Sequence, residues 1–333
     1  MHLSAREIPQ GMALLILACV PITSHAQQMS RLPDNYPAKT IRVLVGSSAG
    51  GGVDAITRAV MHKLGESWQR SIVVDNRTGA GGVIAVELLA QAAPDGYTLY
   101  GGGSQITTAT PLKKIAFDTR KAIAPVAQMT TQSYLLLVNP AMPVNSVKDL
   151  IAYAKSRPGT LSYGSAGIGA ATHLGTELFK SMAGGIDMVH VPYKGNGPAF
   201  IALMGGEIHM MFTGGIGGAP HLKSGKLRAI AVTSLRRMQA FPDLPTVSES
   251  GVPGFELDNM YGIYAPAAVP SSILFALNRE IGRITNSPEV KEKLAADGSE
   301  AAPLNSPAEF KIRFAKEVDK WERFIQKSKT KLE

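Results

Sequence analysis

The chain has a single cysteine, Cys19, and it falls within the first 26 residues. Downstream of it a disulfide framework, a Cys-based metal site and a thiol nucleophile are all excluded. Long apolar runs are also scarce. The stretch Gly11–Ile22 (GMALLILACVPI) is too short to span a bilayer, and no longer one follows. Histidines 173, 190, 209 and 221 show no i,i+4 pairing and no adjacent carboxylate pattern, so a metal site is not expected. Aromatic residues make up only 6% of the chain, and the basic residues are not interleaved with them, so no nucleic-acid partner is expected.

What is present begins with the N-terminus. Arg6, the apolar run Gly11–Ile22 and Ser24-His25-Ala26 have the order of a secretory signal peptide over residues 1–26, with cleavage expected after Ala26. Ile16-Leu17-Ala18-Cys19 allows a lipoprotein site as the alternative. Export predicts a periplasmic protein. The balance of 34 basic against 26 acidic residues gives a net charge of +8, a field that draws in small anions.

Two distant segments repeat one local pattern of strand, Gly/Ser turn and helix: Ile41–Gly65 and Leu161–Gly184. A helix that starts directly after such a turn leaves unpaired N–H groups and a positive dipole end facing whatever lies beyond the strand. The repeat extends further. In the first half, Ser71–Asp75 leads to Asn76–Gly82, and Tyr97–Tyr100 leads to Gly101–Ser104. In the second, Met188–Val191 leads to Tyr193–Pro198, and Ile208–Phe212 leads to Thr213–Gly218. Each half therefore reads as βαβαβ with a glycine turn at the carboxyl end of every strand, where ligands of α/β sheets sit.

Between the halves, the apolar run Ser133–Val138 and the later segment Leu257–Tyr264 predict two crossings between two lobes. The expected division is lobe 1 over 27–132, lobe 2 over 133–255, and a return with C-terminal helices completing lobe 1 over 256–333. Ile273, Leu277, Ile281 and Ile284 share one helical face, as do Phe310, Phe314, Val318 and Ile325.

Gly46-Ser47-Ser48-Ala49-Gly50 fits the G-x-S-x-G nucleophile elbow, which makes an exported serine hydrolase using Ser48 the rival reading. No histidine follows His221, however, so the acid-then-histidine order of that fold has no room. The loop Gly164–Gly169 matches a dinucleotide fingerprint only loosely, and no cofactor is expected. Ser47, Ser48, Ser104, Ser165 and Thr213 all stand at carboxyl ends of predicted strands, where a hydroxyl can donate to a carboxylate or cap its helix. His173, in the first turn of the second such helix, is a candidate for ligand contact or for capping. Arg77 and Lys194 are read as fixing their turns.

The segments IRVLVGSSAGGGVDAITRAV, DNRTGAGG, APDGYTLYGG, YGSAGIGAATHLGTELF, HVPYKGNGPAF and FPDLPTVSESGVPGFE together resemble the Bug (TctC-like) substrate-binding proteins, periplasmic receptors of tripartite tricarboxylate transporters. The likeness covers roughly Tyr36 to Trp321. It implies a two-lobed, type II Venus-flytrap α/β fold, each lobe a mostly parallel sheet flanked by helices. It also implies a monomeric, non-enzymatic receptor that closes on a small organic carboxylate and delivers it to membrane permease subunits. A ligand sensor serving a signalling partner is the other role such a fold can fill. By resemblance, carboxylate contacts come from the first turn, Ser47, Ser48 and Ala49, and from Ser165, Ala166 and Gly167, with Tyr193 heading the neighbouring turn. Thr213 stands where the family often carries an aspartate, which favours a purely anionic ligand over an amino acid. C4-dicarboxylate, citrate-like and aromatic acids all remain open.

Overall fold

A computed structural model describes His2 and residues 36–327, except Ser48, Gly51, 80–81, 113–114, 215–220 and 297–298. The expected signal peptide, Cys19 and Ser48 thus lie outside the described residues. Among the described residues no helix is long and apolar enough to cross a membrane.

The first half builds β1 (Ile41–Val45), α1 (Gly52–Trp68), β2 (Ile72–Asn76), α2 (Val83–Ala90), β3 (Thr98–Gly102) and the single turn α3 (Gln105–Thr108). β1 lies between β2 and β3, parallel to both, and four of its five residues are buried, as a central parallel strand requires. Helix α1 covers it with Val53, Ile56, Val60 and Leu64, a 3–4 spacing that keeps one face apolar.

A short α4 (Thr119–Ala122) then leads into β4 (Ile123–Val138), a 16-residue strand. This is longer than the Ser133–Val138 run expected from sequence. The added stretch IAPVAQMTTQ is buried on both faces, so it lacks the alternation that marks a half-exposed strand. Its Pro125 sits at a register shift against the partner strand, where a missing N–H is tolerated.

The second half repeats the plan: α5 (Val147–Ser156), β5 (Ser162–Ser165), α6 (Ala171–Met182), β6 (Val189–Pro192), α7 (Asn196–Gly205), β7 (Met210–Gly214) and β8 (Arg228–Val232). β5 pairs parallel with β6 and β7. The chain returns through β9 (Asp258–Pro266), α8 (Ser271–Thr285), α9 (Pro288–Ala296), β10 (Glu300–Ala301) and α10 (Pro307–Lys327).

β4 serves both lobes. Up to Ser133 it pairs antiparallel with β9, which also borders β3; from Tyr134 it pairs antiparallel with β7 and β8. Most strands of each sheet run one way, as expected, with antiparallel neighbours where the chain crosses between lobes. Each has a three-strand parallel core joined through one antiparallel pairing to a strand that carries the chain between lobes, β9 beside β3 in lobe 1 and β4 beside β7 in lobe 2.

The C-terminal helices divide between the two cores. Ile273, Leu277, Ile281 and Ile284 of α8 join the lobe 1 core, as their spacing predicts. Helix α10 opens with a capping box, in which Ser306 N donates to Glu309 Oε2 at 2.7 Å and Glu309 N to Ser306 Oγ at 3.2 Å. Its Phe310, Phe314 and Val318 pack in lobe 1 with Tyr100 and Tyr264. Trp321 and Phe324, one and two turns further on, belong instead to the lobe 2 core with Tyr134 and Leu174. The helix straps the two lobes together and is not confined to the first.

Candidate functional site

A cleft of about 730 Å³ opens between the lobes. Its first wall is the turn after β1. A Cβ on Gly46 would meet the Cα and carbonyl oxygen of Gly82 at 2.8 Å, so only glycine lets these two turns touch. Asn76 at the end of β2 holds the turn, donating from Nδ2 to Ser47 O at 2.9 Å and to Asp54 Oδ1 at 2.8 Å. Asp54, 1% exposed, also accepts the Gly50 N–H at 2.8 Å and the Arg58 guanidinium at 3.0 Å. Burial pushes its carboxyl up, but the bonds from Arg58, Gly50 and Asn76 outweigh that and hold it below the usual range. The Ser47 hydroxyl is buried without a hydrogen-bond partner.

The second wall is the turn after β5. Ser165 Oγ accepts from Gly167 N at 3.1 Å and meets His190 Nε2 at 2.7 Å. Ala166 N donates to Thr172 Oγ1 at 3.0 Å, and Gly169 N to His173 Nδ1 at 3.1 Å. The neighbouring turn joins it, with Gly195 N donating to Ala166 O. Desolvation and the nearby His190 press the His173 imidazole down to about 4, so the ring is neutral at neutral pH.

The floor comes from the crossing strands. Tyr261 OH donates to Gln132 Oε1 at 3.0 Å, and Asn259 Oδ1 accepts the Ser104 N–H at 2.9 Å. Helices α1, α2, α6 and α7 all begin at the cleft, through Gly52, Val83, Ala171 and Asn196. Among the described residues no charged side chain and no histidine lines it.

Of the residues singled out from sequence, Ser47, Ser104, Ala166, Gly167 and Thr213 are brought together on this surface. Four are not. Ala49 is exposed and is not among the residues that line the cleft. Ser165 and His173 are buried behind the second wall, where their polar atoms hold the turn's backbone. Tyr193 packs against the lobe 2 core cluster around Phe200 and Met211. Ser48 lies outside the described residues. Arg77 ion-pairs with Asp75 at 3.1 Å, in keeping with a role in the turn. Sequence reasoning missed Thr78, Gln132, Thr172, Asn196, Asn259 and Tyr261. Thr78 and Asn196 sat inside recognised glycine turns. Asn259 and Tyr261 lie in the expected crossing Leu257–Tyr264, whose polar residues mark it only as a connection, while Gln132 precedes the expected Ser133–Val138 run and Thr172 opens the second helix.

The family model for the tripartite tricarboxylate transporter family receptor matches residues 56–330. BugT of Bordetella pertussis is 34% identical over 303 residues, covering 90% of this chain and 92% of BugT. A UPF0065 protein of a Pseudomonas species is 32% identical over 326 residues, covering 97% and 94%. Among solved structures, R. palustris Rpa4515 with adipate superposes with a TM-score of 0.76 at 33% identity, covering 88% of this chain and 98% of that one. MatC of Rhodopseudomonas palustris with bound malate gives 0.74 at 29% identity, covering 87% and 99%.

Proposed function

The chain belongs to the tripartite tricarboxylate transporter receptor family, and from that premise we propose that it captures one small organic carboxylate between its lobes and hands it to the membrane permease of such a transporter. It is a periplasmic solute-binding receptor and not an enzyme. The serine-hydrolase alternative is thereby set aside.

The observation that carries the ligand class is the convergence of four helix N-termini on a cleft whose described lining holds no charge. Such a surface offers N–H groups and hydroxyls to an anion without burying a counter-ion that would need its own desolvation. The adipate and malate in two related structures support the same class. In this reading Ser47, Ser104, Ala166, Gly167 and Thr213 face the ligand. Closure moves lobe 2 (133–255, with the end of α10 from Trp321) toward lobe 1 (27–132, with the return from 256 through Val318), the working unit is a monomer, and removal of residues 1–26 yields the mature form.

The test is a thermal-shift screen of C4 to C6 dicarboxylates, citrate-like and aromatic acids, followed by calorimetry. A binder at 100 times its Kd raises stability by about 2.7 kcal/mol. We expect one class of acid to bind at one site per chain, and Ser47→Ala to weaken it. If none of these acids shifts the melt while a cation or a sugar does, the carboxylate reading fails.

A further inference from the structure

Gly169 and Gly50 hold matching posts in the two walls of the cleft. Each has a positive φ, +77° and +81°, and each donates its N–H to the side chain four residues on. The acceptors differ in kind. In lobe 1 it is the Asp54 carboxylate, ionised and held by Arg58 and Asn76. In lobe 2 it is His173 Nδ1, which accepts only while it carries no proton. The neutral ring is therefore the Nε2–H tautomer, and protonation turns the acceptor into a donor facing another donor.

His173 does not stand alone. Its ring stacks on His190 with centroids 4.0 Å apart and planes 13° from parallel, and His190 in turn stacks on Tyr163 at 4.8 Å. His190 Nε2 meets the Ser165 hydroxyl that fixes Gly167 N. The charged and titratable groups around the pair are Tyr163 from β5, and Glu177 and Lys180 from α6. Lys180 lies 2.7 Å from Glu177, which offsets the support that carboxylate could give an imidazolium. Two imidazolium rings at stacking distance repel, so acid cannot charge both and leave the stack in place.

We propose that His173 and His190 are positioning residues, a neutral imidazole pair that locks the Ser165–Gly169 turn in its ligand-receiving shape, so that mild acid loosens this wall of the cleft and leaves the Asp54-held wall intact. An opened, solvated turn lets His173 titrate near 6.5, whereas the closed turn resists protonation until about 4. Opening is thus favoured progressively as pH falls through that window and gains nothing above it. Asp54 sits below the ordinary carboxylate value of 3.8, so its wall is unaffected over the same range. The consequence for ligand affinity rests on the carboxylate reading above; the lock itself does not.

Amide exchange followed by NMR in the ligand-free protein tests the lock, with Gly50 as internal reference. The protection of Gly169 relative to Gly50 is expected to fall at least about tenfold between pH 7 and 4.5, from the proton linkage. His173→Asn keeps an acceptor near the Nδ1 position and cannot titrate, so its ratio should stay flat, while His173→Leu should lose Gly169 protection even at pH 7. With adipate as probe at pH 7, His173→Asn should stay within about threefold of wild type and His173→Leu should lose about tenfold, the scale of one unmade hydrogen bond. A flat wild-type ratio, or equal damage in both variants, overturns the proposal. Should the variants fail to fold, nitrogen NMR of wild-type His173 at pH 6 decides: a proton on Nδ1 overturns it. Failure of wild type to bind adipate or any other acid counts against the carboxylate function and not against the lock.

Discussion

Ser133 Oγ donates a hydrogen bond to Asp258 Oδ1 at 2.9 Å, at the point where β4 changes sheets and β9 begins. This pair ties the two crossings between the lobes to each other, as Tyr261 OH and Gln132 Oε1 also do. Burial, with help from nearby Glu256, pushes the Asp258 carboxyl up to about 6 despite the Ser133 bond and the positive Arg313 and Lys320.

A carboxyl raised in the folded state favours folding where it is protonated. That contribution is full below 3.8, the unfolded value, and is lost as pH rises through about 6. Asp258→Asn retains an acceptor for Ser133 and never ionises. It should therefore be more stable than wild type at pH 7.5, by roughly 2–3 kcal/mol from a shift of this size, and equal to it near pH 4. Urea melts at the two pH values check this. The same difference at both would show that Asp258 carries no buried charge.

The strap helix makes a separate prediction. Trp321 is 1% exposed and belongs to the lobe 2 core although its helix starts on lobe 1. Trp321→Ala should cost about 3–5 kcal/mol, the usual penalty for emptying a large aromatic site. Because the lost contacts join the lobes, the variant should also sample wider openings, visible as a larger radius of gyration without ligand. Destabilisation with no change in dimensions would mean that the strap does not limit opening.

These two features also show what could be seen in the sequence. The glycine turns were legible because each marks a strand end followed at once by a helix, a local pattern that needs no tertiary information. They led directly to Ser47, Ser104, Ala166, Gly167 and Thr213 in the cleft. The first ten residues of β4 were illegible because burial on both faces erased their alternation. Trp321 and Phe324 continue the same apolar stripe as Phe310 and Phe314, and a stripe does not say that its far end meets a different core. His173 was placed correctly in its helix, yet whether it faced ligand or backbone depended on the position of Gly169 N, fixed only by the folded turn.

Gly46→Ala probes the contact between the first two turns. The new Cβ would lie 2.8 Å from two backbone atoms of Gly82, which no side-chain rotation can relieve. A stability loss of about 1–3 kcal/mol is expected from such overpacking. Both turns line the cleft, so carboxylate affinity should fall as well, measured by calorimetry at a temperature where the variant is fully folded. Unchanged affinity would show that the wall is not part of the binding surface.

Thr213 tests what the cleft selects. It is 1% exposed, lines the cleft at the end of β7 and pairs with Leu135 of β4, so the rigid sheet fixes its position. An aspartate at this place could receive a ligand ammonium group, whereas a hydroxyl leaves the described lining without charge, as suits an anion. Thr213→Asp should weaken simple dicarboxylates sharply. At an effective dielectric near 20, two like charges about 5 Å apart repel by about 3 kcal/mol, roughly a hundredfold in affinity. Aspartate and glutamate, which carry an ammonium, should lose less than succinate or adipate, so the ratio of affinities moves toward amino acids. Wild type should show the opposite preference in calorimetry. Tight wild-type binding of aspartate or glutamate, with none of the simple di- or tricarboxylates, would reverse this reading of Thr213.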